Sequence, residues 1–231
     1  MATRPRKGRA TTPARPSTSL VPLRPVAGIR VPALQLFRDP AVHPAGPGPW
    51  QDEPDKVSWR DPYSGYACTI LRDRAGFLAG HVAVPSSHPF AGFEPGGLPP
   101  GLLEVHGSVT YTGPCQRHMP VSRSLCPVTP LAREADAWNA RALAEQEIAH
   151  DDGEWWLGFA CDTSVDLVPG QRYANFLTVE NGVTYRDEAY VARQCAQLCM
   201  QLHAVEHGLR MPPLMCPPPP LGLEPHRPVR S

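Results

Sequence analysis

Three histidines are the first residues in this chain whose type and spacing suggest chemistry. The stretch "GHVAVPSSHPF" places His81 within an expected strand and His88 in the loop after it, and "EVHGSVTY" places His106, followed by Gly107, in the next strand. Imidazole is the side chain that most readily exchanges protons near neutral pH, and pairing of these strands would bring His81 and His88 toward His106. A tandem His-x-Ser/Thr phosphoesterase needs two such motifs. His106-Gly107-Ser108 supplies one and His81-Val82-Ala83 does not supply the other, which speaks against that enzyme. A second set is soft: Cys115, His118 and Cys126 in "CQRHMPVSRSLC", with Cys161 from "GFACDTS", offers four ligands for a tetrahedral zinc, although the spacing is irregular and a second half-site is missing. A third set is charged. Asp162 and Asp166 leave a strand, and Arg186, Asp187 and Glu188 open the last helix. Where these ends meet they make a polar cluster at a helix N-terminus, an anion site with Arg186 and Arg72 near it. The plain alternatives are core histidines with one hydrogen bond each, unrelated thiols and a solvated helix cap.

Those residues have to be held by a small set of elements. "ACTILR" (67–72) and "FLAGHVAV" (77–84), separated by "DRAG", read as a β-hairpin with Asp73 and Gly76 in its turn, closed by Pro85. "SSHPFAGFEPGGLPPG" carries four prolines and four glycines in sixteen residues and reads as a loop. A third strand is expected at "LLEVHGSVTYT" and a fourth at "EWWLGFACDTS" (154–164), which contains Trp156. Between them, "LAREADAWNARALAEQEIA" (131–149) reads as an inserted helix, within a helical insertion spanning 123–153. The strongest helix signal is "YRDEAYVARQCAQLCMQLHAVEHG", in which Val191, Cys195, Leu198, Leu202 and Val205 form one apolar stripe. Thr184 is the expected cap. Asp187 and Glu188 suit the positive end of the helix dipole, and His203, His207 and Arg210 suit the negative end, with Gly208 as the stop. The expectation is an α+β fold: an antiparallel sheet of three to five strands with the long C-terminal helix on one face.

Composition separates this domain from its ends. Eleven of the thirty prolines lie in residues 1–60 and eight in 209–231. Residues 1–38 hold eight Arg or Lys and no acid, while the remainder carries 14 basic and 22 acidic side chains, a net of −8. A disordered, basic, proline-rich arm over 1–52, a single domain over 53–208 and a proline-rich tail over 209–231 follow from this. The arm over 1–38 is a candidate for weak, salt-sensitive contact with nucleic acid. Seven cysteines, with no signal-type apolar segment near the start, suggest a reducing cytoplasm and no structural disulfides. No apolar run approaches the length that spans a bilayer, so no membrane partner is expected. Walker, G-x-G-x-x-G, H-E-x-x-H and G-x-S-x-G motifs are all missing, which removes the commonest enzyme classes.

Four segments together carry a resemblance. "EPDKVSWRDPYSGYACTILRDRAGFLAGHVAVPSSHP", "EVHGSVTYTGPC", "WWLGFACDTSVDLVPG" and "YRDEAYVARQCAQLCMQL" resemble a family of uncharacterised proteins encoded by tailed bacteriophages and prophages, over roughly residues 53–202. The resemblance implies polar positions of interest at His88, His106, Gly107, Cys161, Asp166, Arg186 and Tyr190. The chain departs from the family pattern at Glu104, Ser108, Ala160, Thr163 and Val165. With a histidine missing where Thr163 stands, a Cys-x-His zinc step through Cys161 is weakened.

The expected function is therefore non-enzymatic: a phage-type accessory protein, cytoplasmic in its bacterial host, binding a small anionic, nucleotide-like ligand or a host protein. The expected ligand face comprises His88, His106, Gly107, Trp156, Asp166 and Arg186. No cofactor is expected; zinc on Cys115, His118, Cys126 and Cys161 is the exception to consider. The competing readings are a zinc-dependent or histidine-based hydrolase or phosphoesterase using His88, His106, Cys161 and Asp166, and a weakly DNA-associated protein working through its basic arm.

Overall fold

The computed structural model describes residues 19–116, 119–125, 153–169 and 183–214. They form one antiparallel sheet and one long helix. The strands are β1 (Ser19–Leu20), β2 (Gln35–Arg38), β3 (Lys56–Arg60), β4 (Ala67–Arg72), β5 (Leu78–Val84), β6 (Tyr111–Pro114) and β7 (Trp155–Ala160), and the helix is α1 (Glu188–Glu206). Sheet order is β1-β2-β3-β4-β5-β7-β6. The α+β class is as expected, but the sheet exceeds five strands, because six have four residues or more and two of the seven come before Glu53.

Local chemistry explains the best-formed part. Between β4 and β5 the Asp73 side chain accepts from the Ala75 N–H, Gly76 donates to the Asp73 carbonyl, and Gly76 sits at φ 101°, a conformation only glycine adopts freely. Period-two alternation then sorts the side chains. Leu78, Val82 and Val84 of β5, with Cys68 and Ile70 of β4 and Leu157 and Phe159 of β7, face α1. Ala67, Ala83 and Trp156 face the opposite side, against Cys115 and Leu125. Helix and sheet meet closely at Gly80, where an added Cβ would lie 2.5 Å from the Phe159 ring and 2.7 Å from Cys195 Sγ. That contact requires glycine. Val191, Cys195, Leu198 and Leu202 are fully buried along the expected stripe, with Val205 partly buried.

Several boundaries differ from the sequence reading. The segment placed in a disordered 1–52 arm is structured from Ser19: β2 pairs with β3 through Leu36↔Val57, and Val26, Ala33, Leu36 and Phe37 are buried. The strand expected at 102–112 begins only at Tyr111, so His106 lies in an irregular segment. Gly107 is at φ 67° and the Ser108 N–H bonds the His106 carbonyl, a three-residue turn that ends any ladder there. The helix is capped by Asp187, which accepts from the Tyr190 N–H, rather than by Thr184. The inserted helix over 131–149 and the tail beyond 214 lie outside the described residues. No helix among the described residues is long and apolar enough to cross a membrane.

Candidate functional site

The turn at Gly107 aims the His106 imidazole into the protein, beneath the first two turns of α1. Its backbone N–H donates to Gln194 Oε1 at 3.0 Å, its Nδ1 lies 2.9 Å from the Tyr190 hydroxyl and its Nε2 lies 2.6 Å from Asp166 Oδ2. Asp166 is positioned by a parallel bridge to Thr184, two residues before Arg186. Its Oδ2 also accepts from the Thr163 N–H and hydroxyl, and its Oδ1 accepts from Arg186 Nε at 2.8 Å. The Arg186 guanidinium lies over the Tyr190 ring, 4.8 Å from its centroid. Burial raises the Asp166 carboxyl, but hydrogen bonds from His106, Thr163 and Arg186 outweigh it and hold the group below its ordinary value. Facing that carboxylate, Nε2 of His106 is the donor of the pair. The side chains of His106 and Asp166 are both fully buried.

The structure thus joins four expected site residues, His106, Gly107, Asp166 and Arg186, with Tyr190, and separates the others. His88 lies near the opposite end of α1: its Nε2 donates to the Leu202 carbonyl at 3.0 Å and its Nδ1 accepts from the Phe90 N–H. Tyr190 and Gln194 are two to three turns from Leu202, roughly 12–18 Å along the axis at about 1.5 Å per residue. His88 and His106 therefore sit against different turns of α1 rather than side by side as expected. Trp156 is fully buried on the sheet face away from α1. His81 is on that face too, its ring edge-on to Tyr111 with centroids 5.4 Å apart.

The two described members of the expected zinc set, Cys115 and Cys161, do not meet. Cys115 is disulfide-bonded, contrary to the expectation of free thiols throughout, and it lies on the face opposite Cys161. Burial first, then the negative charge of Asp166, push the Cys161 thiol well above its usual range, against a smaller pull from Arg186. A thiol in that state is a poor nucleophile and a poor ligand. His118 and Cys126 lie outside the described residues.

The start of α1 is already filled by the protein's own anions. Glu53 Oε1 accepts from the Glu188 N–H at 2.8 Å, and Glu53 Oε2 takes Arg72 at 2.9 Å together with the Tyr185 hydroxyl. Arg72 also donates to Asp55 at 2.7 Å, and Arg24 makes a two-pronged pair with Glu188. This gives "EPDK" a physical role: Glu53 and Asp55 hold Arg72 and the helix start. Lys56 points the other way, its buried Nζ donating to the carbonyls of Val121 and Ser124. Burial pulls its amine down to about 7.

The sequence reading missed the far end of α1. There His203, Glu206 and His207 have ligand-type atoms within 4.8 Å of one another. Around them a run of edge-on rings leads from Phe93 through Phe90, His88 and Tyr66 to His203, with Tyr63 also edge-on to that imidazole at 4.9 Å. Tyr63, Phe93 and Leu209 are 63%, 42% and 52% exposed. The available signal was "HAVEH", with imidazoles four residues apart and a carboxylate between them. Comparison with protein-family models, curated proteins and solved structures finds no match to this chain.

Proposed function

We propose that this chain is a non-enzymatic accessory protein of the phage or prophage type that works by binding a host protein. The observation that carries the reading is the exposed aromatic end of the domain, where Tyr63, Phe93 and Leu209 stand in solvent around the C-terminus of α1. Large exposed apolar side chains gathered in one place mark an interaction site, and Leu23 and Leu214 are exposed as well. The phage attribution rests on the sequence resemblance, and the bacterial cytoplasm goes with it. Four free buried thiols among the described residues suit that compartment, and the Cys115 disulfide weighs against it.

Other readings have weaker support. A small anionic ligand needs an uncommitted cation, yet Arg24, Arg72 and Arg186 each already hold a carboxylate. A hydrolase needs a reachable base and nucleophile, whereas His106 is sealed and the Cys161 thiol is held protonated. Part of a DNA-binding arm is committed to the fold, since Glu188 offsets the charge of Arg24 and Arg38 bonds the Gln51 and Glu53 carbonyls.

The test uses the full chain and a Tyr63→Ser/Phe93→Ser double variant as immobilised bait against a bacterial host lysate, beside calorimetric titration with a nucleotide panel. A stoichiometric partner retained by the native chain and lost from the variant is the expected result. Equal recovery on both baits, or none on either, overturns the reading, and saturable nucleotide heat replaces it with the anionic-ligand alternative.

A further inference from the structure

The geometry points to a binding site for a divalent transition metal of the zinc class on His203, Glu206 and His207. This goes beyond the protein-binding reading and does not depend on it. Residues at i, i+3 and i+4 share one helix face. Here the rings of His203 and His207 lie 4.2 Å apart between centroids, and His207 Nε2 is 3.6 Å from Glu206 Oε2. The candidate ligand atoms lie within 4.8 Å of one another. A tetrahedral zinc with bonds of about 2.1 Å holds its ligands about 3.4 Å apart, so modest side-chain rotation closes the set.

Three further observations favour a cation at this place. The Tyr66 hydroxyl donates to Glu206 Oε2, the kind of outer hydrogen bond that fixes the orientation of a ligating carboxylate. The cluster sits at the C-terminal end of α1, the negative end of the helix dipole. His203 Nδ1 is buried without a hydrogen-bond partner, so no competing polar contact holds that nitrogen. His88 is not part of the set, because both its nitrogens are taken, by the Phe90 N–H and the Leu202 carbonyl.

The ligand chemistry selects the metal class. Two imidazoles and one carboxylate suit zinc and its neighbours, whereas calcium and magnesium prefer all-oxygen shells. The His207 side chain is 51% exposed, which leaves the remaining coordination position open to water or to a side chain from outside.

Tag-free full-length chain is titrated calorimetrically with zinc chloride, before and after alkylation of its accessible thiols, alongside His207→Ala, Glu206→Gln and Tyr66→Phe. One zinc per chain is expected, insensitive to alkylation, with affinity weakened about tenfold or more in each variant, and no saturable heat with calcium. His207 is on the surface, so its variant keeps the fold, which circular dichroism checks. Cobalt(II) substitution gives a second readout: visible d–d bands without a thiolate charge-transfer band. Absence of saturable zinc binding, unchanged affinity in His207→Ala, or a thiolate band with cobalt overturns the proposal.

Discussion

His106 Nε2 and Asp166 Oδ2 lie 2.6 Å apart with neither side chain exposed, and the carboxylate accepts from Thr163 and Arg186 as well. Removing the charge from such a centre leaves its donors buried without an acceptor of matching strength. Asp166→Asn is expected to lower the unfolding free energy by about 3–5 kcal/mol, and Tyr190→Phe by about 1 kcal/mol through its hydroxyl, both read from urea denaturation midpoints. Because the Asp166 carboxyl is held below its ordinary value, its contribution is present above pH 4 and disappears as acid titrates the folded group. An Asp166→Asn change costing under 1 kcal/mol would remove the network from the account of stability.

His81 gives a different acid signature. Burial lowers its imidazole to about 4, so the unfolded chain, with a value near 6.5, takes up the proton first on acidification. Stability then falls between pH 6.5 and 4, by about 3 kcal/mol in total at roughly 1.4 kcal/mol per unit, and this group adds nothing further below that. Thermal melts of the native chain and His81→Gln across pH 4–7 check it: the slope in that window should shrink in the variant.

Lys56 acts in the alkaline range. Its folded value of about 7 lies below the ordinary 10.5, so between these limits the unfolded state binds more protons and stability rises with pH. Tyr66 and Tyr185, both raised chiefly by burial, oppose this above pH 10, since only the unfolded chain ionises them there. Lys56→Met should flatten the rise between pH 7 and 10, as measured by guanidinium unfolding. An unaltered slope would assign it to another group.

Gly107 is the steric check on the turn that places His106. At φ 67°, with an added Cβ 3.3 Å from Thr163 Cγ2, Gly107→Ala is expected to cost about 1–2 kcal/mol. Equal denaturation midpoints for the two chains would mean that the turn relaxes without strain.

What the sequence makes legible divides along physical lines. The β4–β5 hairpin can be read from "ACTILRDRAGFLAGHVAV" because turn chemistry and alternation are local, and α1 because its stripe is periodic. β2 escapes because "QLFR" is four residues in a proline-rich neighbourhood, and its strand pairing comes from Ser58, Val57 and Lys56 some twenty residues later. "VHGSVTYT" has the β-branched content of a strand, yet the turn at Gly107 delays pairing until Tyr111. The polar positions His106, Asp166 and Arg186 stand out by residue type. That they neutralise one another depends on contacts 60 and 20 residues apart, which periodicity does not encode. His203 and His207 look like partners of the helix dipole until Glu206 is seen on the same face.

The pair between Arg24 and Glu188 spans 164 residues. As the chain leaves the ribosome, β4 and β5 can form their hairpin at once, but the segment around Arg24 has to wait until nearly the whole domain has been synthesised before its partner arrives. Closure is therefore a late event, and the buried strand faces of the sheet stay open to chaperones and to other nascent chains until α1 docks and its first turn is clasped.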